Sequence, residues 1–221
     1  YNRTMILIES PDFDIRKIAE SGQCFRLNPD CGGGYTLLAR GRALRLRDTA
    51  RGCALECTQE AFDSVWREYF DLDTDYAAIR GAVDQGDAFL RRACDYGRGI
   101  RILRQDPWET LVSFIISQRK NIPAIKRCVE TICARYGEPL PGAGEGLYSF
   151  PSAARLAALD EESFLACSLG YRAKYVLAAA RMAASGQPDP AVIGDLPDGA
   201  LFDALMTVPG VGAKIADCAM L

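Results

Sequence analysis

Near the N-terminus, the hydrophobic positions follow the two-residue period of β-strands. In the segment 43–47, leucines alternate with arginines, so one face of this strand is expected to be buried and the other solvated, as in antiparallel sheets. Turn signals separate this segment from its neighbours at 35–39 and 53–57. Residues 13–21 instead predict a helix, with Gly22 as the first residue beyond its end.

From Thr58 onward the hydrophobic positions follow the period of helices. Thr58 is itself a helix N-cap signal, and Asp106 and Asn121 each precede another strongly apolar helical segment. Further short helices are predicted towards the C-terminus, including residues 198–206 and a last helix that begins at Ala213.

This order of elements predicts an α+β fold. We expect an N-terminal domain, residues 1–100, built on the antiparallel β-sheet with flanking helices, and an all-α domain, residues 101–221. A chain of 221 residues is long enough to bury a hydrophobic core in one or two such domains.

The sequence contains no signal for a membrane or for export. No apolar run approaches the roughly 18 residues that a membrane span requires. The apolar stretch at the N-terminus is short and is soon followed by charged residues, unlike a signal peptide. We therefore expect a cytoplasmic protein that makes no membrane contact.

The distribution of charge along the chain is more informative than the net charge. The net charge of −3 does not indicate a nucleic-acid partner. Residues 101–136, however, contain seven basic and three acidic side chains, and residues 171–181 contain three basic side chains and no acidic one. Solvated helix faces explain such clusters unless they meet another binding motif on one surface.

The chain has no histidine and nine cysteines. Without histidine, acid–base chemistry must come from lysine, carboxylate, tyrosine or cysteine side chains, and a zinc site would need four thiolates. The cysteines are irregularly spaced, and no Cys-x-x-Cys pair occurs. We therefore expect buried, reduced thiols and no metal site.

The most specific motif is Pro209-Gly-Val-Gly, which separates the last two predicted helices. Gly210 and Gly212 allow a tight turn and expose backbone N–H groups at a helix N-terminus, which can hold a DNA phosphate without recognising sequence. Lys214 follows in the first helical turn, and an uncharged lysine is a nucleophile. A tight helical corner with a solvated lysine would give the same pattern, so the motif alone leaves both interpretations open.

Six segments, which run from the N-terminal region to the hairpin, together match a known family: 21–26, 69–73, 105–117, 149–152, 169–176 and 208–214. They resemble the helix-hairpin-helix DNA glycosylase superfamily, and more closely its 8-oxoguanine DNA glycosylase branch of the eukaryotic type. The hairpin and its lysine are shared by several branches, whereas Gly-Gln-x-Phe-Arg and Leu-Gly-Tyr-Arg-Ala-x-Tyr-Val are specific to this one. The resemblance implies a base-excision repair enzyme whose all-α domain is a helix-hairpin-helix bundle.

The resemblance also implies that a damaged nucleotide is flipped out of the duplex before it is excised. By this resemblance, Tyr171 is a wedge that enters the gap, while Arg172 and Asn121 contact the cytosine left opposite the lesion. Lys120 and the two hairpin glycines would bind phosphates. A core aromatic at position 171 and a surface ion pair at position 172 are the structural alternatives.

Two residues would contact the flipped base. The lesion differs from guanine by an N7–H donor and an oxygen on C8, so a specific pocket needs a well-placed acceptor. In the family a backbone carbonyl is that acceptor, and the matching residue is Gly22. By resemblance Cys218, one helical turn after Lys214, packs against the base. The alternatives are a helix terminus at Gly22 and a core cysteine at position 218.

Lys214 is the implied catalytic residue. It would attack the sugar at C1′, displace the base and form a Schiff base that allows strand cleavage by β-elimination, with no cofactor. The family also uses an aspartate roughly twenty residues beyond this lysine, a position past Leu221. Asp217 is too close to the lysine for that role. We therefore expect the chain to be an incomplete copy of a longer protein, whose last helices complete the base pocket.

The loop at residues 117–121 departs from the family pattern. It corresponds to an asparagine-rich segment that contacts the opposite cytosine, but here only Asn121 remains, and a family arginine one turn later is Ala124. Fewer hydrogen-bond donors then face the cytosine. Our hypothesis is that discrimination of the opposite base is relaxed.

The expected partner is double-stranded DNA that contains 8-oxoguanine, and we expect a monomer that associates with the nucleoid if the source is bacterial. An endonuclease-III-like or alkylated-base glycosylase is the alternative among enzymes. The former usually carries a four-cysteine iron–sulfur loop after the hairpin, and the latter lacks the hairpin lysine. A non-catalytic helix-hairpin-helix DNA-binding module is the alternative outside enzymes, and Gly22, Tyr171 and Lys214 together argue against it.

Overall fold

The computed structural model describes residues 4–84, 86–141, 143–187 and 196–220. Within these ranges, residues 4–37 and 44–104 form one compact unit, and residues 38–43 and 105–220 form another. A five-stranded antiparallel sheet precedes a helical region, so the predicted α+β fold class is confirmed. The domain limits at residues 100 and 101 stay a prediction.

The sheet contains β1 (Thr4–Ile8), β2 (Leu27–Pro29), β3 (Tyr35–Ala39), β4 (Arg42–Thr49) and β5 (Gly52–Cys57). Its spatial order is β1-β5-β4-β3-β2, so the sequence neighbours from β2 to β5 pair as hairpins while β1 adds to the far edge. In β4, Leu44 and Leu46 are fully buried while Arg45 and Arg47 are exposed. This alternation confirms the predicted two-faced strand.

The helices of the first unit are α1 (Ile15–Glu20), α2 (Gln59–Ala61), α3 (Arg67–Tyr69), α4 (Tyr76–Gly81) and α5 (Ala88–Gly97). The hydroxyl of Thr58 accepts a hydrogen bond from the N–H of Ala61 at 3.1 Å, as the predicted N-cap requires. Between α2 and α3 the chain adopts a π-helical turn, Phe62–Trp66. This turn was not predicted, because its hydrophobic spacing does not distinguish it from an α-helix.

A buried arginine closes the first unit. The guanidinium of Arg101 donates to the carbonyls of Phe70 at 2.9 Å, Asp12 at 3.1 Å, Asp71 at 2.5 Å and Thr74 at 3.0 Å. These carbonyls come from two separate segments, and Arg101 itself is 4% exposed. Because buried carbonyls need hydrogen-bond donors, this single side chain holds the segment at Asp12 and the segment 70–74 together.

The helices of the second unit are α6 (Pro107–Ser117), α7 (Ile122–Tyr136), α8 (Ala153–Ala157), α9 (Glu161–Leu165), α10 (Ala173–Ala184), α11 (Asp198–Met206) and α12 (Ala213–Met220). The side chains of Asp106 and Asn121 cap α6 and α7, and α11 has the predicted limits. Tyr171 lies in a 3₁₀ turn, Gly170–Arg172, that leads into α10, so it precedes the α-helix.

Packing in the second unit brings the candidate site residues together. Helix α10 packs against α6, α8 and α9, while α12 packs against α6 and α11. The shared core contains Val112, Ile115, Val176 and Ala216, each fully buried. The C-terminal end of α6 therefore lies near both the turn that begins α10 and the hairpin that begins α12.

The cysteines are free thiols, and six of them are buried: Cys24, Cys53, Cys57, Cys128, Cys133 and Cys167. The prediction of buried thiols is wrong for Cys31, which is exposed, because it lies in the glycine-rich turn between β2 and β3. Across the described ranges, no helix has the length and apolarity needed to cross a membrane.

Candidate active site

The hairpin between α11 and α12 is a tight turn built on Gly210. The N–H of Val211 donates to the carbonyl of Val208 at 3.0 Å, and Gly210 has a φ of 87°. With proline before it, this geometry matches a type II turn, whose third residue requires positive φ. A Cβ at position 210 would lie 2.5 Å from Cγ of Tyr175, so glycine is needed here for space as well as for conformation.

Gly212 has a different role, because a Cβ at this position would meet open space. Its carbonyl accepts hydrogen bonds from the N–H groups of Ile215 and Ala216, which places Gly212 at the start of α12. The N–H groups of Gly212, Ala213 and Lys214 have no acceptor within the described part of the chain. Such unpaired groups at a helix N-terminus form a site for an anion such as a phosphate.

Lys214 is exposed in the first turn of α12. Its ammonium group has no hydrogen bond or ion pair with any residue that the structure describes. Cys218 lies four residues later on the same helix and is half-buried. The helix therefore presents an accessible amine, with a thiol on the same face one turn away.

Two buried thiols of the sheet are poor nucleophiles at neutral pH. Burial raises the pKa of Cys53 to about 12 and that of Cys57 to about 11, so both thiols stay protonated at neutral pH. Among the described residues, no three or more cysteine, aspartate or glutamate side chains cluster in a way that could hold a metal ion.

The loop after α6 is tied to its surroundings by side chains. Lys120 donates from Nζ to the carbonyl of Ser168 at 3.1 Å, and Asn121 accepts the N–H of Ala124 on Oδ1 at 3.0 Å. Arg119, directly before Lys120, has a φ of 51°, in the left-handed region. Lys120 keeps further N–H donors, and Asn121 is exposed at the start of α7. Their predicted roles in DNA binding stay predictions.

Tyr171 and Arg172 differ sharply in exposure. The side chain of Tyr171 is 47% exposed, so the interpretation as a core aromatic is wrong. Arg172 is 7% exposed and donates to the carbonyls of Gln118, from Nε at 2.8 Å and from Nη2, and of Leu169 at 3.1 Å. The interpretation as a surface ion pair is therefore wrong too. Its guanidinium also lies 4.4 Å from the centre of the Tyr171 ring.

Gly22 belongs to the first unit and is described within it. Its φ of 80° places it in the left-handed region, directly after the Ser21 cap of α1. Gln23 holds the segment by donating to the carbonyl of Arg101 at 2.9 Å and accepting the N–H of Leu103 at 2.9 Å. No described residue donates to the carbonyl of Gly22. This carbonyl keeps its acceptor capacity, as the predicted role requires.

The second unit thus brings together Lys120, Asn121, Tyr171, Arg172, Gly210, Gly212, Lys214 and Cys218. The sequence did not single out three residues that hold candidate site residues: Gln23, which holds the Gly22 segment within the first unit, and Gln118 and Tyr175, which hold the hairpin within the second. The only sequence signal was their place inside or beside segments that matched the family. Their partners lie far along the chain, so spacing alone could not reveal them.

Comparisons with protein families match both parts of the chain. Residues 5–111 match the profile described as 8-oxoguanine DNA glycosylase, N-terminal domain. Residues 112–210 match the profile described as HhH-GPD superfamily base excision DNA repair protein.

Known proteins agree with these matches. An N-glycosylase/DNA lyase of Saccharomyces cerevisiae is 33% identical over 177 residues, which are 74% of this chain and 46% of that protein. The chain thus spans about half the length of this curated relative. The structure of MBOgg1 in complex with a low affinity DNA ligand is 37% identical with a TM-score of 0.92, covering 100% of this chain and 77% of that one.

A second solved structure is that of Clostridium acetobutylicum 8-oxoguanine glycosylase/lyase in complex with dsDNA containing cytosine opposite to 8-oxoG. It is 33% identical with a TM-score of 0.89, and the match covers 100% of this chain and 79% of that chain.

Proposed function

Because the chain belongs to the 8-oxoguanine DNA glycosylase family, we propose that the protein excises 8-oxoguanine from duplex DNA and then cleaves the strand at the abasic site. The observation that carries the proposal is the position of Lys214. This lysine is exposed and without a side-chain partner among the described residues, two residues after a glycine that opens a helix N-terminus. A phosphate held by that N-terminus would place the sugar beside the amine.

The chemistry is that of a primary amine next to a deoxynucleotide. The nitrogen of Lys214 forms a bond to C1′ while the bond from C1′ to the base nitrogen breaks, and its electron pair leaves with the base, which takes up a proton. Opening of the sugar ring converts the adduct to a Schiff base. Loss of a proton from C2′ then expels the 3′ phosphate, which cleaves the strand by β-elimination.

DNA binding is assigned to the surroundings of the hairpin. The unpaired N–H groups at Gly212 and at the start of α12, together with Lys120, would contact phosphates and so fix position without recognising sequence. Tyr171, exposed at the turn before α10, would wedge into the gap left by the flipped nucleotide. Arg172 and Asn121 would face the opposite base. We propose that a single copy of the chain does this, without a cofactor.

Lesion recognition is assigned to Gly22 and Cys218. The carbonyl of Gly22 accepts no hydrogen bond from the described residues, and the N7–H of 8-oxoguanine is a donor that guanine lacks. Cys218 would pack against the base. A backbone acceptor suits this task because no side chain at a glycine obstructs close approach.

The test compares matched duplexes that differ in one nucleotide. The full-length protein is incubated with duplexes that contain 8-oxoguanine, guanine, an oxidised pyrimidine or 3-methyladenine, and released base and strand cleavage are measured. We expect release and cleavage only with 8-oxoguanine. Activity on the pyrimidine or on 3-methyladenine alone would favour the other glycosylase classes, and binding without release from any duplex would favour a non-catalytic DNA-binding module.

A further inference from the structure

Gln118 connects three parts of the second unit. Its side-chain amide donates from Nε2 to the carbonyl of Gly210 in the hairpin and to the carbonyl of Ile115 in α6, both at 3.1 Å. Its own backbone carbonyl accepts the guanidinium of Arg172. Gln118 is the C-cap of α6, so the bonds to the carbonyls of Ile115 and of Gln118 itself satisfy groups that the end of a helix leaves unpaired.

Tyr175 makes a second connection between the same parts. It lies one helical turn after Tyr171, and the two rings meet edge to face with centres 6.2 Å apart and an interplanar angle of 83°. Its side chain packs against Gly210 so closely that a Cβ there would lie 2.5 Å from Cγ and 2.8 Å from Cβ of Tyr175. The aromatic ring thus fills the space between the exposed Tyr171 and the hairpin.

These contacts close a ring that runs through Gly210, Gln118, Arg172, Tyr171 and Tyr175 and returns to Gly210. A closed ring restrains its members better than an open chain, because each part is held from two sides. We propose that Gln118 and Tyr175 are positioning residues that fix the Tyr171–Arg172 turn relative to the hairpin.

This inference rests on the proposed function, in which Tyr171 is the wedge and Lys214 the nucleophile. Extrusion of a base depends on the wedge being held at a fixed distance from the phosphate-binding hairpin. An abasic site has no base to extrude, so cleavage there depends on Lys214 and much less on the wedge. The two substrates therefore separate positioning of the wedge from general integrity of the site.

The experiment uses the full-length protein and its variants Gln118→Ala, Tyr175→Leu and Tyr175→Phe. Strand cleavage is measured in single turnover on an 8-oxoguanine duplex and on the same duplex with an abasic site. We expect Gln118→Ala and Tyr175→Leu to slow the reaction at 8-oxoguanine about fivefold to tenfold, the effect of losing one hydrogen bond or ring contact, and at the abasic site less than about twofold.

Tyr175→Phe is the matched control. The hydroxyl of Tyr175 has no hydrogen-bond partner in the described part of the chain, so phenylalanine keeps the ring that packs on Gly210 and should keep the wild-type rate on both substrates. Equal losses on both substrates, or wild-type rates in Gln118→Ala and Tyr175→Leu, would overturn the positioning role. A wild-type protein that cleaves the abasic duplex but leaves 8-oxoguanine in place would instead overturn the proposed function.

Discussion

At the scale of single residues, the two hairpin glycines have distinct physical reasons to be glycine. Gly210 has positive φ and lies against the Tyr175 side chain, whereas Gly212 has open space where a Cβ would be. The motif predicted both glycines but not this difference. The turn geometry followed from local sequence, while the contact with Tyr175 depends on how α10 packs beside the hairpin.

The difference predicts unequal costs of substitution. Gly210→Ala should lower the free energy of unfolding by about 2 kcal/mol or more, because alanine at positive φ is strained and its Cβ collides with Tyr175. Gly212→Ala should cost no more than about 1 kcal/mol, the usual loss at a helix N-terminus. Urea unfolding of both variants measures this, and equal costs would contradict the assigned contact.

Opposite-base recognition is the second prediction at this scale. Asn121 uses its side-chain oxygen to cap α7, and the side chain of Ala124 offers no donor where the family has arginine. With a good bidentate contact contributing about 1–3 kcal/mol of discrimination, its loss should leave less than about a tenfold preference for cytosine. Excision of 8-oxoguanine opposite each of the four bases checks the hypothesis, and a strong preference for cytosine would refute it.

The hydrogen-bond partners of Arg172 could not be predicted from the sequence. Its segment matched the family, and the pairing of an aromatic wedge with an arginine was predicted from it. The sequence could not reveal that the guanidinium donates to the carbonyl of Gln118, a residue 54 positions away. Tertiary packing determines long-range partners of this kind, and the local spacing of residues does not reveal them.

At the scale of elements, the caps were the most predictable features. Thr58, Asp106 and Asn121 each accept a backbone N–H as their residue type indicates, since capping depends on a few adjacent residues. The start of α10 was less predictable. Ser168 and Gly170 both have positive φ, and the turn that they form sets Tyr171 outside the α-helix.

The buried Arg101 gives a prediction for the elements of the first unit. Arg101→Met should lower the free energy of unfolding by about 3 kcal/mol or more, because it leaves buried carbonyls of two segments without a donor. Arg92→Met on the exposed face of α5 is the matched control and should change stability by less than about 0.5 kcal/mol. Similar losses in both variants would show that the buried network contributes little.

At the scale of the whole molecule, the net charge is only −3, but individual charged side chains form specific pairs. Asp12 is a buried carboxylate in the first unit, and Nη2 of Arg80 lies 2.7 Å from it. The guanidinium of Arg80 beside it lowers the pKa of Asp12, and this outweighs the opposing effect of burial. The composition predicted neither the partner nor the burial, because both arise from the fold.

This pair predicts a loss of stability in acid. A carboxylate whose folded pKa is lowered contributes stability above its ordinary value of 3.8, and this contribution is lost as pH falls through the folded pKa. The free energy of unfolding should therefore fall between about pH 6 and about pH 3, and it should fall less in Asp12→Asn. Urea unfolding at both values measures this, and an equal fall in the variant would contradict the role of the pair.

The central claim is that Lys214 is the nucleophile, and borohydride trapping tests it most directly. The full-length protein is incubated with an 8-oxoguanine duplex and borohydride is added, which reduces a Schiff base to a stable covalent adduct. We predict an adduct with the wild-type protein and with Lys126→Gln, which removes a lysine from α7, and none with Lys214→Gln. A covalent adduct that persists in Lys214→Gln would contradict the account.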